Sequence, residues 1–148
     1  MDCFTAALRL LARRDHSCFE LSGKLLDRGF SQDQIQRAVD RCLHLGYLDD
    51  ERFAGAYIEQ LQRRGYGCHR MQQMIAAKGV SHQAASACLE PLCNDAVQLR
   101  DCRKAMKKKL KNSRNSGESS QARAKMYRFL LNRGFSSDII RKVLDDGR

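Results

Sequence analysis

The sequence has no tryptophan, a single proline and few aromatic residues of any kind. Phenylalanine, tyrosine and tryptophan together make up 7% of its 148 residues. A chain so poor in large rings has little with which to line a big pocket, so we expect small aliphatic cores. No apolar run approaches the roughly 20 residues that cross a bilayer, and residues 1–14 mix charged with apolar side chains instead of forming a signal-peptide core. We therefore expect a cytoplasmic protein.

Cysteine is plentiful, but its spacing fits no zinc site. The seven cysteines include no Cys-x-x-Cys pair, and the four histidines supply no partner pair of the zinc-binding kind. The cysteines are Cys3, Cys18, Cys42, Cys68, Cys88, Cys93 and Cys102. Cys42 and Cys88 fall on helical apolar stripes, which predicts reduced thiols that serve as small apolar residues. We expect no metal and no cofactor.

Catalytic motifs are missing as well. The sequence has no glycine-rich phosphate loop, no Gly-x-Ser-x-Gly and no His-Glu-x-x-His. The acidic pairs at 49–50 and 145–146 suit helix ends better than catalysis, and His16, His44 and His82 occupy scattered polar positions. The expectation is that the protein is not an enzyme.

The chain does contain an internal repeat. Arg28-Gly29-Phe30-Ser31 returns 105 positions later as Arg133-Gly134-Phe135-Ser136, and a weaker copy, Lys78-Gly79-Val80-Ser81, lies 50 positions after the first. The flanking apolar residues repeat too: Leu21, Leu25, Ile35, Ala38 and Val39 correspond to Met71, Ile75, Ala85, Cys88 and Leu89, then to Met126, Leu130, Ile140, Val143 and Leu144. Three copies of one unit are present.

Each copy has the pattern of three short helices joined by tight turns. Phe4, Ala7 and Leu11 repeat at helical spacing, and serine followed three residues later by Glu or Gln is typical of a capping box at a helix start. Glycine after a helix end tolerates the left-handed conformation that such turns require. The predicted turn and cap residues are Ser17, Gly29, Ser31, Asp49, Gly79, Gly134 and Ser136.

These patterns predict an all-α fold of three tandem three-helix repeat units in an elongated arrangement. The period-two alternation of strands is missing. We place the units at 1–48, 49–94 and 95–148. In the third unit a helix at about 95–111 precedes a polar loop near 112–120, where asparagine, serine and glycine are frequent.

Positive charge is concentrated in the third unit. Lys and Arg number seven against six acids in residues 1–48, five against five in 49–94, and fifteen against six in 95–148. On a helical wheel Arg100, Lys104, Lys107, Lys108 and Lys111 share one face, and Leu99, Cys102, Met106 and Leu110 form a separate apolar stripe. With Arg123 and Arg128, this face is the predicted binding surface for DNA, RNA or an acidic protein. A lysine-rich face that only favours solubility is the alternative.

Four sequence blocks also carry a family resemblance across nearly the whole chain. They are Arg13-Arg14-Asp15-His16-Ser17, Gly46-Tyr47-Leu48-Asp49-Asp50-Glu51-Arg52-Phe53-Ala54, Arg64-Gly65-Tyr66-Gly67 and Leu130-Leu131-Asn132-Arg133-Gly134-Phe135. In this order they resemble the landmarks of RecX proteins, a bacterial family of small helical proteins. Two positions depart from the family pattern: Cys68 stands where proline is common, and Gln73 precedes Met74 where an acidic residue precedes Leu.

The resemblance implies a negative regulator of the RecA recombinase. Such a protein binds RecA filaments on single-stranded DNA, limits their extension and inhibits recombinase and coprotease activity, with weak duplex DNA binding and no cofactor. We expect a monomer, since no unit has a sustained heptad seam. We also expect that the protein binds no membrane, because no apolar run is long enough to cross one. A general DNA-binding helical-repeat protein and a helical-repeat scaffold for another protein are the alternatives. A general DNA-binding protein would bind naked duplex DNA with a sequence preference. A scaffold for another protein would show no strongly salt-dependent DNA binding.

Overall fold

In a computed structural model, the described residues 1–112 and 119–146 form nine α-helices and no strand. The helices are α1 (Cys3–Arg13), α2 (Cys18–Asp27), α3 (Gln32–His44), α4 (Asp50–Arg63), α5 (Cys68–Ala77), α6 (His82–Leu89), α7 (Asp95–Asn112), α8 (Ser120–Asn132) and α9 (Ser137–Asp146). The all-α prediction of three-helix repeats is confirmed. Most of the polar loop predicted near 112–120 lies outside the described residues.

The chain divides into two compact units. Unit 1 comprises Met1–Tyr57 with Ile75–Ser86, and unit 2 comprises Ile58–Met74 with Ala87–Arg148. The borders fall inside α4, α5 and α6, which are the helices of the second repeat. The elongated arrangement and the proposed repeat boundaries stay predictions.

In unit 1, α1, α2 and α3 pack pairwise around an aliphatic core. Each helix begins at a side-chain cap: Asp2 accepts a hydrogen bond from Thr5 N, and Ser17 and Ser31 form capping boxes with Glu20 and Gln34. The buried core residues include Leu21, Leu25, Ile35, Ala38, Val39 and Cys42. These are the positions that the repeat pattern predicts to face inward.

In unit 2, α7, α8 and α9 pack in the same pairwise way. The core contains the buried Cys102, Leu130, Phe135, Ile140 and Val143. Met126, Leu144 and other partly buried apolar residues pack against it. The first and third repeats therefore bury equivalent positions.

The same turn follows the second helix of each repeat. Gly29, Gly79 and Gly134 have φ values of 92, 74 and 100°, in the left-handed region that favours glycine. Each glycine N–H donates to the carbonyl three residues earlier, with N···O distances of 2.9, 2.9 and 3.0 Å. In repeats one and three the next N–H, from Phe30 or Phe135, donates to the carbonyl five residues earlier, which closes the helix end.

The prediction that all cysteines are reduced is wrong for one pair. Cys68 and Cys93 form a disulfide within unit 2, across a sequence separation of 25 residues. Spacing rules miss this pair because the fold brings the start of α5 to the segment between α6 and α7. The other five thiols are free. Burial raises the pKa of Cys18, which lies beside Asp50, to about 12 and that of Cys102 to about 11, so both stay protonated at neutral pH.

A buried polar cluster lies at the start of α2. His16, which the sequence gives as a scattered polar position, is 2% exposed; its Nδ1 lies 3.0 Å from the Arg14 carbonyl and its Nε2 3.0 Å from Lys24 Nζ. Burial lowers its pKa, so the neutral ring accepts from Lys24 and donates to Arg14. Burial alone raises the pKa of Glu20, but hydrogen bonds from Arg14, Lys78 and the Ser17 N–H lower it to about 2.

Replacing the turn glycines tests the repeat geometry. We expect Gly29→Val to lower the free energy of unfolding by more than about 1 kcal/mol, because a β-branched residue is strained at positive φ. Gly134→Val should cost more, since an added Cβ would lie 2.3 Å from Arg70 Cβ. Thermal and urea melts measure both effects. Gly23→Val, inside α2 with open space around it, is the control and should not destabilise. Equal stability of all three variants would refute the turn assignment.

The disulfide should make stability depend on redox state. Closing a loop of this length stabilises a fold by about 3 kcal/mol in the chain-entropy view. A reductant should therefore lower the melting temperature of the parent protein but not that of the Cys68→Ser/Cys93→Ser variant. If reductant leaves the parent unchanged, the two thiols are unpaired in solution.

Glu20 should give unit 1 an acid-sensitive stability. Its folded pKa lies below the ordinary 4.5, so its contribution is present above pH 4.5 and is lost as the pH falls towards 2. We expect Glu20→Gln to be less stable than the parent by roughly 2 kcal/mol at pH 7, with the gap closing between pH 4.5 and 2. Urea unfolding across this range measures it. Glu59→Gln, which removes an exposed ion pair with Arg63, should change little at any pH.

Candidate nucleic-acid interface

The basic face of α7 lies opposite the side that packs in the unit 2 core. Gln98, Asp101, Cys102 and Ala105 are buried along one side of the helix. At about 100° per residue the predicted basic positions fall on the other side. Those five residues, Arg100, Lys104, Lys107, Lys108 and Lys111, are all exposed. One helix thus presents five cations in a row while it anchors itself through the reverse face.

The apolar stripe predicted for α7 is narrower in the structure. Cys102 is fully buried, and Leu99 and Met106 pack against the core from partly buried positions. Leu110 is 43% exposed. Gln98 and Asp101 join the buried side although both are polar, which the pattern of apolar residues could not indicate.

On this face the positive charge of Arg100 is partly neutralised by an acidic neighbour, whereas the lysines have no such partner among the described residues. Arg100 Nε lies 3.2 Å from Asp101 Oδ1, and Gln62 Nε2 donates to the other oxygen of the same carboxylate at 2.9 Å. Within residues 1–112 and 119–146, Lys104, Lys107 and Lys108 form no ion pair, and the same holds for Lys111. The lysines are therefore the residues best able to meet phosphates.

Arg123 and Arg128 on α8 also differ in whether an acidic side chain pairs with them. Arg123 is bound to α9, since it donates to Asp145 Oδ1 at 2.6 Å and to the Leu144 carbonyl at 3.3 Å. Arg128 is exposed and has no acidic partner among the described side chains. Of the two predicted residues, Arg123 is engaged with α9 and Arg128 is available to a ligand.

A depression of about 570 Å³ between α8 and α9 adds residues that the sequence did not single out. Tyr127 and Arg141 line it together with Arg123, Arg128 and Asp145. A tyrosine among arginines suits single-stranded nucleic acid, because a base can stack on the ring while guanidinium groups meet the phosphates. Tyr127 and Arg141 lie on different helices, so only the packing of α8 on α9 brings them together.

Nothing else in the described residues suggests another chemistry. No group of three or more His, Cys, Asp or Glu side chains there could hold a metal ion. None of the described helices is long and apolar enough to span a membrane. The exposed cations of unit 2 remain the strongest candidate site.

Comparison with known sequences identifies relatives along the whole chain. Models of the first, second and third three-helix domains of RecX match residues 3–42, 49–89 and 97–144. The regulatory protein RecX of Legionella pneumophila (strain Corby) is 37% identical over 143 residues, which cover 97% of this chain and 93% of the relative. That of Vibrio vulnificus (strain CMCP6) is 36% identical over 146 residues, which cover 99% and 93%.

Solved structures share the fold. A crystal structure of RecX from Lactobacillus salivarius matches with a TM-score of 0.81 at 23% identity, covering 97% of this chain and 93% of that one. A second crystal structure, of a regulatory protein RecX, matches with a TM-score of 0.84 at 19% identity, covering 97% and 71%. At these identities the likeness extends to the fold alone.

Proposed function

The chain belongs to the RecX family of regulatory proteins, and on that premise we propose that it is a negative regulator of the RecA recombinase. In this proposal it binds RecA filaments on single-stranded DNA, limits their extension and inhibits the recombinase and coprotease activities. It acts as a monomer, binds duplex DNA weakly and needs no cofactor.

The observation that carries the proposal is the row of unpaired lysines on α7. A helix that buries one face in a core and leaves four lysines without acidic partners among the described residues presents an electrostatic surface to a polyanion. The filament offers such a polyanion in its DNA strand. The open depression with Tyr127 lies in the same unit and offers a stacking site for an unpaired base.

The remaining two thirds of the chain supply contacts of another kind. Residues 1–94 hold twelve basic against eleven acidic residues, so net charge gives them little attraction for DNA. Shape and individual hydrogen bonds must decide what they bind, which suits the surface of a protein. We assign these residues to RecA and the lysines of α7 to DNA.

Hydrolysis of ATP by RecA on single-stranded DNA tests the proposal directly. Increasing amounts of the protein should slow hydrolysis and shorten the filaments. Unchanged hydrolysis and assembly at micromolar excess would overturn the proposed function. Strong sequence preference for naked duplex, with no effect on RecA, would favour the general DNA-binding alternative.

Charge reversal on α7 separates binding from folding. The variant Lys104→Glu/Lys107→Glu/Lys111→Glu changes exposed positions only, and it spares Arg100, whose partner Asp101 is buried. Its melting temperature should stay close to that of the parent. Binding to single-stranded DNA should weaken sharply, and the slope of log affinity against log salt should flatten by up to about 0.7 for each phosphate that the variant no longer binds.

A matched control keeps the same change in net charge. Arg9→Glu/Arg13→Glu/Arg37→Glu alters three exposed arginines of unit 1 that form no ion pair in the described part of the chain. Its salt dependence on single-stranded DNA should stay closer to that of the parent. If the two variants lose DNA affinity equally, net charge alone drives binding, and the basic face of α7 has no special role.

A further inference from the structure

The turn of the second repeat is covered by the start of a helix. Within unit 1, Ser17 Oγ donates to the Lys78 carbonyl at 2.6 Å, and Lys78 Nζ lies 3.2 Å from Glu20 Oε2. The two backbones are so close that a Cβ on Gly79 would lie 2.2 Å from Phe19 Cβ. The N-terminus of α2 therefore docks on the Lys78-Gly79 turn.

The turn of the third repeat is covered in a similar way. Within unit 2, the Gly67 N–H donates to the Arg133 carbonyl at 2.7 Å and the His69 N–H to the Gly134 carbonyl at 3.1 Å. A Cβ on Gly134 would lie 2.4 Å from Arg70 N. The N-terminus of α5 thus docks on this turn, and Ser17 and Gly67 are equivalent residues 50 positions apart.

The turn of the first repeat has the same geometry but is open. A Cβ on Gly29 would meet nothing within 4 Å, and Arg28 and Gly29 are both exposed. No hydrogen bond from the described residues ends on the Arg28 carbonyl oxygen. Leu26, in the last turn of α2, is 51% exposed beside it. The turns at Gly79 and Gly134 are thus each covered by the start of a helix, whereas the equivalent turn at Gly29 is exposed.

We propose that the Asp27-Arg28-Gly29 turn is a contact site for RecA, and that it receives the N-terminus of a helix on a RecA protomer. This inference rests on the proposed function. The end of α2 presents free carbonyls and Asp27, which attract the positive end of a helix and its unpaired N–H groups. The missing Cβ at Gly29 lets that backbone come as close as it does at Gly79 and Gly134.

The chemistry of the occupant follows from the two occupied turns. A small residue at the helix start, such as Ser17 or Gly67, brings a donor to the turn carbonyl. The cation of the turn is met by an electron-rich group: Glu20 for Lys78, and the Tyr66 ring at 4.7 Å for Arg133. For Arg28 the strongest such partner is a carboxylate in the first turn of the arriving helix.

A second copy of this chain fits the turn less well. The equivalent helix of the third repeat, α8, is capped by Ser119 and has no acidic residue in its first turn. Among the described residues, the start of α8 therefore offers no carboxylate to pair with Arg28. The match in charge favours a different protein.

The test uses the full-length protein and RecA assembled on single-stranded DNA. Gly29→Asn fills the docking space with the side chain that best tolerates positive φ, and Arg28→Glu replaces the cation of the turn with a carboxylate. We expect each to raise the concentration for half-maximal inhibition of RecA by about tenfold or more. Melting temperature and affinity for single-stranded DNA without RecA should stay near those of the parent.

Two controls match the two changes. Gly46→Asn places the same side chain at another glycine with positive φ, 80°, and open space around it. Arg37→Glu reverses an exposed charge elsewhere in unit 1. Both should inhibit RecA within about twofold of the parent, which is the scale of a neutral surface change.

The outcomes separate this inference from the proposed function. If the parent protein does not inhibit RecA, the proposed function fails. If the parent inhibits and Gly29→Asn and Arg28→Glu inhibit equally well, the function stands and the turn is not a contact. If Gly29→Asn instead changes the sedimentation of the protein alone, the turn joins two copies, and the assignment to RecA is overturned.

Discussion

The glycine turn after the second helix of each repeat is the feature on which the rest of the structure depends. Positive φ at Gly29, Gly79 and Gly134 reverses the chain within two residues and leaves the carbonyl of the preceding residue unpaired by its own helix. At Gly79 and Gly134 the same absence of a Cβ admits a helix start into direct contact. Gly79 and Gly134 must therefore be glycine for two reasons: the backbone has positive φ, and a Cβ would collide with the docked helix start.

Gly67 illustrates a different requirement for glycine. Gly67 belongs to the Arg64-Gly65-Tyr66-Gly67 block of the family resemblance, but it is not among the glycines with positive φ. A Cβ there would lie 2.6 Å from the Gly134 carbonyl carbon. Its role is close approach of two backbones. Such a role depends on a partner 67 positions away, which local pattern does not reveal.

The sequence predicted the features that arise within a few residues of each other. Helix starts at Ser17 and Ser31, the inward positions of the repeats and the exposed face of α7 all follow from spacing along one helix. It did not predict features that arise between helices. The Cys68–Cys93 bond and the depression shared by Tyr127 and Arg141 each join residues of different elements.

The basic residues of the candidate site also differ in a way that spacing along the sequence does not reveal. The sequence groups Arg100 and Arg123 with the lysines of α7 as a single surface, but both arginines lie in ion pairs, as does Arg103, which was not part of that group. The planar guanidinium favours such fixed pairs, whereas the lysines of α7 remain hydrated point charges. Arg103 and Arg123 thus join α7 and α8 to α9, Arg100 is partly neutralised by its neighbour Asp101, and the lysines are left for a ligand. Composition alone could not make that distinction.

The departure from the family pattern at Cys68 can be understood from the position it occupies. Cys68 is the first residue of α5, where proline is favoured because its fixed φ suits the helix start and its missing N–H is not needed by the helix. Cysteine lacks the fixed φ but keeps the N–H, which donates to Oε1 of the buried Gln98 at 3.0 Å. Its sulfur is bonded to Cys93. Gln98 in turn donates to the Leu92 carbonyl at 2.8 Å, so the bond and the amide hold the same segment before α7. A proline ring would stiffen the start of α5 by fixing φ. In this chain the disulfide and the hydrogen bond to Gln98 hold the start of α5 instead, so its rigidity depends on whether Cys68 and Cys93 are oxidised.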